Sequence, residues 1–246
     1  LYRDHAIFTR AAAAAGIDLT REMPEMMPAA HTNLGGVVVG TDCSTDVAGL
    51  FACGEVIGGL HGANRLGGSA GAETVVFGHI AGDSAADYAK RLGSVKMEDI
   101  ERTWSEAERG LEALLGGNSP LPARELRKRL GVCLHENLGI QRNAETLSAA
   151  AHTVRELRRE LDGLRASSLG EAAELIHLRH MLLLADMQIS ASELRRESRG
   201  VFYRSDFPDM DDPNWRKNIL IKNTGGRMQL SFRDAVRCVD CQVSER

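Results

Sequence analysis

The sequence is poor in cysteine, has no long hydrophobic run and carries little net charge. Its five cysteines among 246 residues are an odd and sparse set, which argues against a disulfide framework and favours a reducing compartment such as the cytoplasm. No apolar stretch approaches the roughly 18–20 residues of a membrane-spanning helix. The formal net charge of −4 gives no reason to expect nucleic acid or an anionic membrane as a partner.

Two widespread catalytic motifs are also missing. The sequence contains neither a P-loop nor a nucleophile elbow, so it gives no sign of P-loop phosphate chemistry or of an α/β-hydrolase nucleophile. No signal peptide is recognisable at its start. The chain begins at Leu1 rather than at a methionine, which predicts a processed product or a part of a longer polypeptide.

The most informative feature that is present is a glycine-dense stretch, residues 54–71. It reads GEVIGGLHGANRLGGSAG and has seven glycines in eighteen positions, together with Glu55, His61 and Arg65. Glycine at this density lets backbone N–H groups approach a ligand closely, and a guanidinium suits a carboxylate or phosphate. The apolar helix predicted over Ala72–Leu92 begins here, and its N-terminus attracts negative charge. The stretch therefore predicts a site that holds an anionic cofactor beside an anionic substrate.

The residues before and after this stretch predict an α/β unit over residues 1–92. A helix is expected near the start, ending close to Gly16. Two short apolar runs, Val37–Val39 and Leu50–Cys53, are expected to be buried strands. Because the glycine-dense stretch and a helix follow the second run, the order strand, loop, helix is similar to the ligand-binding edge of an α/β nucleotide-binding domain.

The remaining residues predict a helical bundle and a tail. Leucine-rich stripes at helical spacing within residues 93–199 indicate three to four amphipathic helices packed as a bundle. In the tail, residues 200–246, the segments Asn218–Lys222 and Arg227–Phe232 flank a Thr-Gly-Gly turn and are expected to form a β-hairpin. The predicted fold is thus an α/β portion followed by an all-α helical bundle domain and a short C-terminal β-hairpin tail.

Several strings in this order resemble a known family. They are Pro28–Gly36 (PAAHTNLGG), Gly49–Glu55 (GLFACGE), His61–Gly68 (HGANRLGG) and, in the tail, Glu197–Gly200 (ESRG) followed by Arg204, Asp206–Pro208 and Trp215. They are similar to the flavoprotein subunits of fumarate reductase and succinate dehydrogenase. The resemblance covers essentially the whole chain and implies the C-terminal portion of an FAD-binding domain, then the family's helical domain and tail. The family's first FAD motif, GxGxxG, and its capping domain are expected upstream of Leu1.

The resemblance also implies site residues. His31 and Arg65 are expected to bind a carboxylate of a C4-dicarboxylate, fumarate or succinate, and to be the catalytic residues on this chain. FAD is the implied cofactor. Glu55 is expected to contact FAD hydroxyls, while the backbone N–H groups of Ala70 and Gly71 are expected to be unpaired and to face the flavin. No metal is expected.

Partners and several residue roles follow with alternatives. The family implies a partner that is an iron–sulfur protein, and a peripheral position at the inner membrane face through such partners.

The alternatives for the function are an L-aspartate oxidase-like or adenylylsulfate reductase-like flavoprotein, or a non-catalytic docking or assembly module, since the chain alone is expected to be inactive. His61 either approaches the substrate or flavin or has a structural role. Ser198 and Arg199 are expected to dock the helical domain onto the flavin domain, and Cys238 and Cys241 are interpreted as unpaired thiols rather than a metal or redox site.

Overall fold

The computed structural model describes residues 6–22, 30–94, 96–117 and 123–235. The N-terminal part contains helix α1 (Ala6–Ala14), a short 3₁₀ turn (Gly54–Val56) and helix α2 (Ser69–Leu92). α1 is followed by Gly16 in the left-handed conformation, with φ of 77°, which is how many helices end. Pro28 and Ala29 of the first family string, and the cysteines Cys238 and Cys241, lie outside the described residues.

The centre of the chain is a helical bundle, as predicted. Helix α3 (Met97–Glu112) precedes helix α4 (Ala123–Asn137), strand β1 (Gln141–Arg142), helix α5 (Ala144–Asp162) and helix α6 (Leu169–Leu194). The predicted leucine stripes face one another between α4, α5 and α6. The fully buried apolar side chains include Leu126, Leu130, Leu147, Leu157, Leu161, Leu175, Leu178, Leu182 and Ile189. Each such side chain contributes roughly 1.5–3 kcal/mol through burial, so this core dominates the stability of the described residues.

Two helices of the bundle, α5 and α6, begin at well-formed side-chain caps. At the start of α5, the Asn143 side chain accepts from the Thr146 N–H and the Thr146 side chain accepts from the Asn143 N–H, which is a reciprocal capping box. At the start of α6, Ser168 accepts from the Glu171 N–H. Helix α3 joins the core at its C-terminal end through Leu111, whereas its Trp104 is 71% exposed.

The prediction of two buried strands in the N-terminal part was wrong. Val37 makes a single parallel bridge to Ile57, and Phe51 a single antiparallel bridge to Ser44. Val37 is 39% exposed and Leu50 52% exposed. β-branched and apolar runs fit a strand only where neighbouring strands supply a ladder and a covered face, and the described residues offer each of these runs one bridging residue. None of the described helices has the length and apolar composition to cross a bilayer.

The C-terminal tail returns to the rest of the chain at several points. Strand β2 (Tyr203–Arg204) pairs in parallel with β1, and the short helix α7 (Asp212–Trp215) precedes a hairpin of β3 (Lys217–Thr224) and β4 (Arg227–Asp234). The turn residues Gly225 and Gly226 both have positive φ, 59° and 80°, as a tight hairpin turn requires. The predicted order of an N-terminal portion, a helical bundle and a C-terminal hairpin is observed.

Candidate active site

Two glycine-containing segments lie side by side and bring the predicted site residues together. The Val37 N–H donates to the Val56 carbonyl at 2.7 Å, and the Gly58 N–H donates to the Val37 carbonyl at 3.0 Å. A Cβ at Gly58 would lie 2.8 Å from the Gly36 nitrogen, so this approach requires glycine. The pairing places the segment that carries His31 next to the 3₁₀ turn that carries Glu55.

Glu55 is an exposed carboxylate at the centre of this arrangement. The Thr32 hydroxyl and the Asn33 N–H, the latter at 3.1 Å, donate to it. These two hydrogen bonds, followed by the charges of His31 and Arg65, hold the pKa of Glu55 below its usual value. The carboxylate is therefore ionised at neutral pH, and His31 and Arg65 both lie within electrostatic reach of it. Sequence reasoning missed Thr32 and Asn33, although both adjoin the predicted His31.

Arg65 is half-buried and its guanidinium is incompletely satisfied. Its Nε atom is buried and has no hydrogen-bond partner among the described residues, and no carboxylate of those residues forms an ion pair with Arg65. A buried donor without an acceptor costs roughly 1–3 kcal/mol. An anionic ligand would supply the missing acceptor, so this guanidinium fits the carboxylate-binding role predicted for it. His31 is exposed, and its role as a second donor stays a prediction.

The start of α2 differs in one detail from the prediction. Gly68 caps the helix with φ of 87°. The Gly71 N–H donates to the Gly68 carbonyl at 3.0 Å, so the expectation that it is unpaired was wrong: the tight turn at the helix start uses it. The Ala70 N–H has no acceptor in the part of the chain that the structure describes. An open donor at the positive end of a helix suits an anionic or electron-rich ligand edge.

His61 has a buried partner that the sequence did not reveal. Its Nε2 atom lies 2.9 Å from Oε2 of Glu73, and the two side chains are 13% and 5% exposed. Glu73 belongs to the early part of α2, so the contact joins the glycine-dense stretch to that helix. Of the two roles left open for His61, the observed contact is the structural one. The sequence signal that could have predicted this contact is an acidic residue close to a helix start, within reach of a preceding histidine.

The tail touches the same loop through backbone atoms. The Val201 N–H donates to the Ala63 carbonyl at 3.1 Å. Ser198 and Arg199, which were expected to make the docking contact, bond to neighbouring residues instead: the Ser198 hydroxyl donates to the Phe207 carbonyl, and Arg199 pairs with Glu197. Their side chains brace the tail, and the next two residues make the contact. The residues that make this contact could not be predicted from their side chains, because the contact is formed by backbone atoms.

The arrangement suits an anionic organic ligand. Within the described ranges, no group of three or more His, Cys, Asp or Glu side chains could hold a metal. The site instead offers a guanidinium with an open donor, an exposed imidazole, an ionised carboxylate and an open helix N–H. The first two suit a carboxylate, and the last two suit the hydroxyls and the electron-rich edge of a flavin nucleotide.

Comparison with known proteins matches both halves of the chain to families. Residues 3–70 match the family described as an FAD binding domain. Residues 127–246 match the family described as the C-terminal part of fumarate reductase flavoprotein. The two matches lie in the same order as the α/β portion and the bundle with its tail.

Individual relatives are consistent with these two family matches. The chain is 36% identical over 210 residues to one component of the CoM/CoB fumarate reductase of Methanothermobacter marburgensis, covering 84% of this chain and 38% of that protein. It is 35% identical over 210 residues to L-aspartate oxidase of Pseudomonas aeruginosa, covering 84% and 37%. A chain in a solved structure of E. coli quinol fumarate reductase superposes with a TM-score of 0.82 at 31% identity, covering 93% and 41%. The chain thus spans about two fifths of the length of these relatives.

Proposed function

Because the chain belongs to the flavoprotein family of fumarate reductase and succinate dehydrogenase, we propose that it supplies the substrate carboxylate site of an FAD-dependent oxidoreductase that interconverts fumarate and succinate. The observation that carries this proposal is the buried Nε of Arg65, which has no hydrogen-bond partner among the described residues, in a glycine-dense loop beside Glu55 and His31. A half-buried cation with an open donor needs an anionic ligand, and a small diacid supplies one. The match of residues 3–70 to an FAD binding domain supports FAD as the cofactor.

Arg65 and His31 hold and polarise the substrate. The planar guanidinium can donate two parallel hydrogen bonds to one carboxylate, and bonds to charged groups contribute roughly 1.5–3 kcal/mol each. His31 adds a donor from the neighbouring segment. Fixing the diacid in this way makes the reaction with the cofactor effectively unimolecular. Withdrawal of electron density towards Arg65 stabilises negative charge that develops on the substrate during reduction.

Glu55 has a different task, since it carries a full negative charge. An ionised carboxylate in contact with a dianionic substrate would repel it. The two donors on Glu55, Thr32 and Asn33, leave further lone pairs on its oxygens free to accept from hydroxyls. Glu55 therefore binds hydroxyl groups of FAD.

The start of α2 serves the cofactor. FAD, when bound, supplies hydride transfer at N5. The open N–H of Ala70 and the positive end of the α2 dipole favour negative charge on an adjoining flavin edge, which is the charge that a reduced flavin acquires. Gly71 contributes through its lack of a side chain rather than through its N–H, which Gly68 already accepts. The proton required for fumarate reduction comes from a group outside this chain.

An iron–sulfur protein is the proposed electron partner, and through it the flavoprotein is peripheral at the inner face of the membrane. Support comes from the similarity of the bundle and tail to the C-terminal part of fumarate reductase flavoproteins. A second candidate activity is L-aspartate oxidation, which the 35% identity to the Pseudomonas aeruginosa enzyme favours. L-Aspartate is also a C4 diacid, so Arg65 and His31 fit either substrate.

The experiment that separates these activities uses the complete flavoprotein that contains this chain. Its flavin is reduced chemically under anaerobic conditions, and reoxidation is followed by absorbance on addition of fumarate. Rapid reoxidation by fumarate supports the proposal. Reduction of the oxidised flavin by L-aspartate, with no response to fumarate, supports the oxidase. A protein that binds no FAD in a flavin titration supports the docking or assembly module instead.

A further inference from the structure

The tail contacts the glycine-dense loop through a short turn. Residues 199–202 of the tail form a tight turn. The Arg199 N–H donates to the Phe202 carbonyl at 2.8 Å and the Phe202 N–H donates back to the Arg199 carbonyl at 3.0 Å, with Gly200 at φ of 58° on the corner. The tip of the turn, Gly200 and Val201, is the part that reaches Ala63.

The base of this turn is fixed to the helical bundle. Glu197 is fully buried and accepts from Arg195 Nη1 at 2.6 Å and from Arg199 at 2.8 and 2.9 Å. The pKa of Arg199 is raised by its hydrogen bonds to Glu197 and Asp212, so these pairs persist at neutral pH. On the other side of the turn, the Phe202 ring lies 5.0 Å from the Arg142 guanidinium. The turn is therefore a braced element rather than a free loop.

The tip of the turn fits against Ala63 without spare room. The Val201 N–H donates to the Ala63 carbonyl at 3.1 Å. A Cβ at Gly200 would lie 2.6 Å from the Ala63 carbonyl carbon and 2.9 Å from its Cβ, and would overlap its oxygen. The closest of these are backbone atoms, so a clash cannot be relieved by turning a side chain. Glycine at position 200 is required by the contact as well as by the positive φ.

The loop that receives the turn has few restraints of its own. Gly59, Gly62 and Gly68 all have positive φ, from 58° to 104°, and glycine has the largest conformational freedom to lose on ordering. Among the described residues, the contacts of His61 with Glu73 and of Ala63 with the tail join the middle of the loop to other elements. Arg65 lies two residues after Ala63, and its N–H donates to the Asn64 side chain at 2.8 Å.

We propose that the turn 199–202 is a positioning element for Arg65, through which the helical bundle sets the affinity of the site for its diacid. The inference rests on the proposed function. With Ala63 held, the guanidinium is ordered before the substrate arrives, so binding does not have to order the loop. With Ala63 released, the loop samples more conformations and Arg65 is out of position for part of the time. Cofactor binding by Glu55 and Ala70 does not depend on this contact.

The test compares Gly200→Ala with Gly225→Ala in the complete FAD-containing flavoprotein. Both glycines have nearly the same positive φ, 58° and 59°, but a Cβ at Gly225 meets no atom within 4 Å. The control thus carries the same backbone strain without the clash. Three quantities are measured: flavin content, the kcat and KM for fumarate, and hydrogen exchange of the peptide covering residues 58–68.

For Gly200→Ala we expect wild-type flavin content, a rise in KM of about tenfold with a smaller change in kcat, and faster exchange in residues 58–68. Gly225→Ala should match the wild type in all three. Wild-type KM and exchange in Gly200→Ala would overturn the inference. If Gly200→Ala does not fold, Glu197→Gln, which weakens the brace and leaves Gly200 in place, should raise KM about threefold and also speed exchange in residues 58–68. No change in that variant would overturn the inference equally.

The same measurements distinguish a failure of the positioning role of the turn from a failure of the proposed function. A wild-type protein that does not reduce fumarate contradicts the proposed function, whereas the exchange of residues 58–68 still reports whether the turn orders the loop. Faster exchange in Gly200→Ala but not in Gly225→Ala supports the positioning role in that case. Equal exchange in both variants contradicts it whatever the substrate is.

Discussion

Nε2 of His61 lies 2.9 Å from Oε2 of Glu73, in a contact where the side chains are only 13% and 5% exposed. It joins the loop that carries Arg65 to the helix whose start faces the proposed cofactor site. Removing one member of a buried polar pair leaves the other without a partner, which costs roughly 1–3 kcal/mol and more for a charged group.

His61→Ala should therefore lower the free energy of unfolding by about 1–3 kcal/mol in denaturant titrations of the complete flavoprotein. A matched control is His79→Ala, which removes a contact with Asp83 on the same helix, where the side chains are 80% and 72% exposed. Exposed pairs contribute little, so that variant should be close to wild type. Equal effects of the two substitutions would contradict the structural role of His61.

Glu55→Gln tests whether Glu55 binds the cofactor or the substrate. The substitution removes the negative charge and one hydroxyl acceptor, so the dissociation constant for FAD, measured by flavin fluorescence, should rise about tenfold. The KM for fumarate should stay the same or fall, because a charge that repels the diacid has been removed. Glu106→Gln, on an exposed position of α3, is the control. A large rise in the KM of the reconstituted Glu55→Gln enzyme would assign Glu55 to the substrate instead.

Asp206 makes a pH-dependent contribution to the tail. Its carboxylate accepts from Arg204 at 2.7 and 2.6 Å and from the Ala144 N–H at 3.0 Å. These contacts lower the pKa of Asp206 from 3.8 to about 2, and the hydrogen bonds from Arg204 are the largest cause. Because the folded pKa lies below the unfolded one, this contribution is fully present above about pH 4 and is lost as the pH falls through about 2. Because Asp206 is exposed, solvent screening limits this contribution to about 1 kcal/mol or less.

Asp206→Asn should accordingly destabilise the protein by about 1 kcal/mol or less at pH 7 in denaturant titrations, and its difference from wild type should shrink as the pH is lowered from 4 towards 2. Asp83→Asn, whose carboxylate is 72% exposed, is the control and should show no such trend. A difference between Asp206→Asn and wild type that stays constant down to pH 3 would show that the pair with Arg204 does not set the pKa of Asp206.

The parts of the fold that follow from local pattern could be predicted. The helical spacing of leucines such as Leu126 and Leu130 indicated the bundle, because a helix with one apolar face must bury it, and the glycines after Thr224 indicated the hairpin turn. The expected strand at Val37–Val39 failed because strand formation depends on neighbours that a local run of valines does not reveal.

In the site, too, some features could be predicted from the sequence and others could not. The strings around His31, Glu55 and Arg65 indicated the residues that the structure brings together. The contacts that hold them could not be predicted, since Glu73 depends on the path of the loop and Gly200 meets Ala63 across a large separation in sequence. The engaged N–H of Gly71 depends on the exact residue at which α2 begins, and helix boundaries are the least certain part of any sequence interpretation.

The most direct test of the central claim is the fumarate reductase activity of Arg65→Lys in the complete flavoprotein, measured together with flavin content. Lysine keeps the charge but cannot donate two parallel hydrogen bonds from one plane, so turnover should fall by about two orders of magnitude or more while FAD remains bound. Arg91→Lys, at the exposed far end of α2, should leave turnover unchanged. Wild-type turnover in Arg65→Lys would contradict the assignment of Arg65 to the substrate carboxylate and, with it, the account of this site.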